Sequence, residues 1–149
     1  RPYHNCLTRL LMDARDRFGE AILFDCHSMP SEARRVAVLR GGKTADIVLG
    51  DRYGAACAPW IFEAAYEAFS AVGFAVARNA PFAGGHITQT YGKPSQNLHA
   101  LQIEIDRGLY MDEAQLAPHA GFAEIKGRIA AVLVELAALQ DGGRAIAAE

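Results

Sequence analysis

The sequence predicts an α/β domain built on a mostly parallel sheet, and three features carry that prediction. Short apolar runs alternate with longer stretches whose apolar residues recur at helical spacing, the pattern of strands joined by crossover helices. Glycines stand where the helical stripes stop. The most polar text follows the ends of the apolar runs, where sheets of this kind gather their sites.

Leu7, Leu10, Leu11, Ala14 and Phe18 form one stripe, with Asn5 placed to cap the first turn and Gly19 past the end. A helix is expected over 5–18. Ala21-Ile22-Leu23-Phe24 follows without alternation, which suits a strand buried on both faces. Residues 28–45 are rich in Arg, Gly and Ser and read as irregular, with Arg34, Arg35 and Arg40 on a solvated face. Asp46-Ile47-Val48-Leu49 is a second short strand, closed by Gly50. Pro59 suits the first position of a helix whose stripe is Phe62, Ala65, Tyr66, Phe69 and Val72, with Gly73 as its stop. Phe74 to Ala77 is a third strand.

The stretch from Asn79 to Asn97 is Gly, Pro, Asn, Thr and Gln and reads as a loop. Its length points to function rather than mere connection. Leu101-Gln102-Ile103-Glu104-Ile105 alternates strictly, so the aliphatic residues face one way and Gln102 and Glu104 the other. A last helix carries Phe122, Ile125, Ile129, Val132, Leu133, Leu136 and Leu139, with Gly142 and Gly143 beyond it. Neither an internal repeat nor a linker divides the chain.

With 149 residues, 51% of them hydrophobic and 21% charged, the chain suits one globular domain. A domain near this size buries roughly 68–70% of the surface its unfolded chain exposes. The composition excludes disorder and a disulfide scaffold. A net charge of −2 offers no electrostatic case for nucleic acid. No apolar run approaches the ~18 residues of a membrane helix, and no signal-peptide pattern is present. Three cysteines, an odd number, suit a reducing compartment, so cytoplasm is expected. The opening Arg1-Pro2-Tyr3-His4 has no initiator methionine and reads as if cut from something longer.

Three strand ends are polar: Asp25-Cys26-His27-Ser28, Gly50-Asp51-Arg52, and Glu104 with Asp106 and Arg107. The long loop adds His86, Gln89 and Tyr91. An Asp two residues before a His can accept the imidazole's second N–H, which suits His27 to metal ligation; the alternative is a satisfied turn histidine. Catalytic zinc wants three protein ligands, and His4, His86, His99 and His119 are scattered. His4 and His86 are candidates to line a site, His119 leads into a helix, and His99 has no assignment. Glu104, flanked by Ile103 and Ile105, is expected to be partly desolvated with a raised pKa, suiting general acid or base work. Its alternative is an ion pair with Arg107. Cys6, Cys26 and Cys57 lack metal or redox spacing, and Cys26 reads as a small core residue. Gly84-Gly85 could offer backbone N–H groups to an anion.

Taken together, Arg1-Pro2-Tyr3-His4, "LFDCHSMPS", "IVLGDRYGAAC", "NAPFAGGHITQTYGKP" and "HALQIEIDRGLYMDE" resemble the N-formylglutamate amidohydrolase (deformylase) family. They occur in family order and cover nearly the whole chain. The family is related to the zinc carboxypeptidases and to the aspartoacylase and succinylglutamate desuccinylase group. The resemblance implies their three-layer phosphorylase/hydrolase-like α/β fold, with a mostly parallel mixed sheet lacking its N-terminal strands. Residues 1–149 would then be a single α/β domain, the C-terminal portion of the catalytic domain.

The resemblance also implies one divalent metal, Zn2+, with His27 as a ligand, Asp25 orienting it and Glu104 as the general base. Arg107, Tyr91, Gln89 and His86 would bind the substrate, N-formyl-L-glutamate or a close N-acylamino acid, in histidine degradation. Two departures stand out. The family's "Pro-His-Ser-Gly" segment and acidic residues, expected to supply the other metal ligands, are not in this sequence. Gln89 stands where many members have Arg, which bears on the substrate's identity. The rival reading is a non-catalytic binding or scaffold domain; a third is a metal-free hydrolase using Cys26 or Cys57 with His27. Expected partners are the small-molecule substrate, with neither nucleic acid nor membrane, and self-association or a companion polypeptide across an uncovered sheet edge.

Overall fold

Four strands line up as β1-β4-β2-β3 in the computed structural model, which describes residues 2–39 and 41–139. They are β1 (Ala21–Met29), β2 (Ile47–Gly50), β3 (Val76–Arg78) and β4 (Leu98–Asp106). β1 runs parallel to β4 and β2 parallel to β3, while β2 and β4 are antiparallel. The sheet is therefore mixed and mostly parallel. Helices α1 (Pro2–Phe18) and α3 (His86–Tyr91) cover one face, and α2 (Pro59–Ala71) and α4 (Phe122–Ala137) the other. This is a three-layer α/β arrangement. A short ribbon, β5 (Met111–Asp112) with β6 (Ala117–Pro118), leads into α4. Arg1, Arg40, Gly142 and Gly143 lie outside the described residues.

The main core lies between the sheet and α2/α4. Ile47 and Leu49 of β2, and Leu101 and Ile103 of β4, pack there against Ile61, Phe62, Phe69, Ile125, Val132 and Leu136. Alternation along β4 puts Gln102 and Glu104 on the opposite face, as expected, yet that face is covered too, so the strand is buried almost throughout. On that second face Leu11 of α1 and Tyr91 of α3 close over Ala21 and Leu98. Pro59 opens α2, and Gly73, at φ +86°, ends it in the left-handed conformation a side chain resists.

Several expectations need correction. The first helix starts at Pro2, so Asn5 is interior rather than a cap; proline's fixed φ suits the first turn. The first strand runs on through His27 to Met29 and is half-buried, because among the described residues β1 lies at a sheet edge. Cys26 is consequently exposed and not a core residue. The stretch after β1 contains a 3-10 helix over Ser31–Arg35. Arg34 is not on a solvated face: its guanidinium pairs with Asp106 at 3.1 Å and with Asp46 at 2.8 Å. The stretch from Asn79 to Asn97 is not one loop, since it holds α3 and a 3-10 helix over Pro94–Gln96.

Candidate active site

The parallel pairing of β1 and β4 sets Asp25 beside Gln102 and His27 beside Glu104. Period-2 alternation then puts all four side chains on the α1/α3 face of the sheet. His27 Nε2 lies 3.0 Å from Asp25 Oδ2. An imidazole N–H facing a carboxylate donates to it, so Nε2 carries a proton, and Nδ1 is the nitrogen left for a metal when the ring is neutral. The His27 side chain is 48% exposed and that of Asp25 only 15%, so the carboxylate is held inside and the imidazole reaches outward.

Glu104 is 7% exposed. Burial pushes its pKa above the usual carboxylate range, and the neighbouring His27 pulls partly the other way. Gln102 Nε2 donates to Glu104 Oε1 at 2.8 Å, while Gln102 Oε1 accepts from the Gly85 backbone N–H at 2.7 Å. The second glycine of Gly84-Gly85 therefore spends its amide on Gln102 rather than on an anion. The ion pair weighed for Glu104 is not how Arg107 is engaged. Arg107 donates to the Ser28 hydroxyl and carbonyl, both at 3.1 Å, and lies 3.8 Å from Glu113.

The remaining candidates separate into local roles. Tyr91 is buried, and its hydroxyl meets His4 Nδ1 at 2.7 Å, tying α1 to α3. His86 packs edge-on against His4, and Gln89 is exposed on α3. Asp51 is buried and receives the Asn79 amide at 2.9 Å, closing the turn after β2. Cys57 is also buried, and burial together with the Asp51 charge pushes its thiol up to about 12, a poor nucleophile. Cys26 points to the opposite sheet face from His27, so the two do not form a catalytic pair. His99 is buried and accepts the Ala58 N–H at the start of α2. His119 accepts the Gly121 N–H just before α4.

A cavity of about 850 Å³ lies on the α4 side, walled by Cys26, Ile105, Phe122 and Ile129. His27 borders it, but Asp25, Gln102 and Glu104 do not, so the polar row rather than this apolar groove is the candidate site. Gln102 is a site residue that the sequence reading does not single out. Its signal was present: a Gln and a Glu two apart on one strand share a face, and both become buried once that face is covered.

Among the described residues no group of three His, Cys, Asp or Glu side chains could hold a metal ion. The polar row therefore offers one oriented imidazole donor, His27, and not a complete metal cage. Among the described residues, too, no helix is long and apolar enough to cross a membrane.

The family model described as N-formylglutamate amidohydrolase matches residues 1–111. The N-formylglutamate deformylase of Pseudomonas putida is 40% identical over 116 residues, which are 77% of this chain and 42% of the relative. That of Pseudomonas aeruginosa is 39% identical over 137 residues, 91% of this chain and 49% of the relative. A crystal structure of N-formylglutamate amidohydrolase from Ralstonia eutropha JMP134 matches with a TM-score of 0.79 at 36% identity. The match covers 92% of this chain and 49% of that one. The chain thus spans about half the length of the curated relatives it matches.

Proposed function

The chain belongs to the N-formylglutamate amidohydrolase family, and from that premise we propose that it carries part of a hydrolytic site for the formyl amide of N-formyl-L-glutamate or a close N-acylamino acid. The observation that supports this reading is the pairing of His27 with Glu104 across β1 and β4, with Asp25 holding the imidazole. Glu104 acts as the general base. Its burial raises its pKa toward the range where a carboxylate accepts a proton from water and returns it to a leaving nitrogen. Water adds to the formyl carbon, the C–N bond breaks, and formate and the free amino acid leave.

His27 would hold one position of a divalent metal, zinc, and the remaining ligands would have to come from outside the described residues. Such an ion, when bound, polarises the amide carbonyl and acidifies a water. Arg107, Tyr91, Gln89 and His86 are the proposed contacts for the substrate. Of these, His86 and Gln89 on α3 are exposed, whereas the Tyr91 hydroxyl is held by His4. The proposal includes a place in histidine breakdown and a cytoplasmic setting, which three free cysteines suit.

The test is release of formate from N-formyl-L-glutamate, with metal content measured in parallel. It is run on residues 1–149 and on any longer polypeptide that contains them. Metal-dependent turnover by either form supports the reading. Formate release that survives complete metal removal would overturn the metal's role, and no turnover by any form would overturn the activity.

A further inference from the structure

Gln102 is buried on the central strand β4, one residue-pair before Glu104 on the same face. Both ends of its amide are spoken for, and the partners settle which end is which. The Gly85 N–H can only donate, so the oxygen of Gln102 must face it, at 2.7 Å. The nitrogen is then left to donate to Glu104 Oε1, at 2.8 Å. A Cβ at residue 85 would stand 3.2 Å from that same Gln102 oxygen, a tight contact that the amide would have to relieve by shifting a few tenths of an ångström. The Gly85 carbonyl in turn accepts from the Thr88 hydroxyl at 2.8 Å, fastening the segment to α3.

We propose that Gln102 is a positioning residue for the hydrolysis: it occupies Glu104 Oε1, leaves Oε2 as the oxygen that handles the proton, and ties that carboxylate to the Gly84-Gly85 segment that leads into α3. This inference rests on the reading of Glu104 as general base. Movement of α3 is then transmitted to the carboxylate through a single rigid amide, so the segment carrying His86 and Gln89 and the group that moves the proton settle together.

Two measurements test it, and only the second needs turnover. The first is amide hydrogen exchange at Gly85 in residues 1–149. Gln102→Met keeps length and removes both hydrogen bonds, and Gly85 protection should fall about 5-fold, the equilibrium worth of one neutral hydrogen bond. Glu104→Ala should lower the same protection through the freed amide. The second is kinetics in whichever form turns over N-formyl-L-glutamate. There Gln102→Met should lower kcat by ~10²-fold, the cost of a misplacement of about 1 Å, with KM little changed.

Gly85 protection indifferent to Gln102→Met overturns the proposal, as does an unchanged kcat or a rise confined to KM. If the wild-type protein proves inactive in every form, the general-base reading fails separately, and the coupling of Gln102 to Glu104 is decided by the two exchange results, for Gln102→Met and Glu104→Ala.

Discussion

His27 and Glu104 are direct neighbours across the parallel β1–β4 pair, and among the described residues one lies on the edge strand and the other on a central strand. That difference gives the two side chains different environments on one face. The imidazole is half-exposed, and the carboxylate is buried. A ligand-type donor that reaches outward thus stands beside a carboxylate whose charged form is disfavoured, a useful division for hydrolysis.

On the proposed role of His27 as a zinc ligand, His27→Ala should abolish tight zinc binding while leaving the fold intact, because the side chain is 48% exposed. Asp25→Asn should weaken zinc by about 10–100-fold, since it removes the carboxylate that fixes the ring. Metal stoichiometry after dialysis checks both, and full zinc in the His27→Ala protein would return His27 to a structural role.

Glu104→Gln should cut turnover by ~10²–10⁴-fold, the typical worth of a general base. It should also stabilise the protein at neutral pH. The Glu104 pKa is raised by burial, so the wild-type contribution is fully present below the ordinary value of 4.5 and is lost as pH rises through the folded-state pKa. The variant's Tm advantage is therefore largest at neutral pH and vanishes in acid. Thermal melts between pH 4 and 8 measure it.

His99 carries the opposite dependence. Burial lowers its pKa from 6.5, and protonation would also end its acceptance of the Ala58 N–H. Stability should be full above pH 6.5 and decline as pH falls through the folded-state value. His99→Gln, which removes the titration, should flatten that acid-side slope in urea titrations at stepped pH.

Arg34→Met should destabilise the fold by roughly 3 kcal/mol, the low end for breaking a buried ion pair. Arg34 is itself 34% exposed, but it leaves Asp106, which is fully buried, without its counter-charge. Asp106 would keep only the Ser31 hydroxyl and the Gly108 N–H. Urea unfolding at neutral pH reads the loss, and a change within experimental scatter would mark the triad as dispensable.

Much of this protein is legible in its residues. Helical stripes located α2 and α4, proline and glycine bracketed α2, and strict alternation put Gln102 and Glu104 on one face of β4, because these signals are local and repeat at a fixed period. The quoted motifs carried the family by themselves. What local text does not contain is which strand lies beside which. The order β1-β4-β2-β3 brings His27 to Glu104 across 77 residues of sequence, and no periodicity encodes that pairing. The same long-range packing put Arg34 between two carboxylates when its neighbours read as a solvated loop. It also turned the polar face of β4 into a buried one by laying α1 and α3 over it. Sequence alone determined the main helices and strands and the chemistry available on each face of β4. Tertiary structure decided which polar groups lost their water, and therefore which had to find partners and which had their pKa shifted, because desolvation depends on what covers a residue and not on what adjoins it.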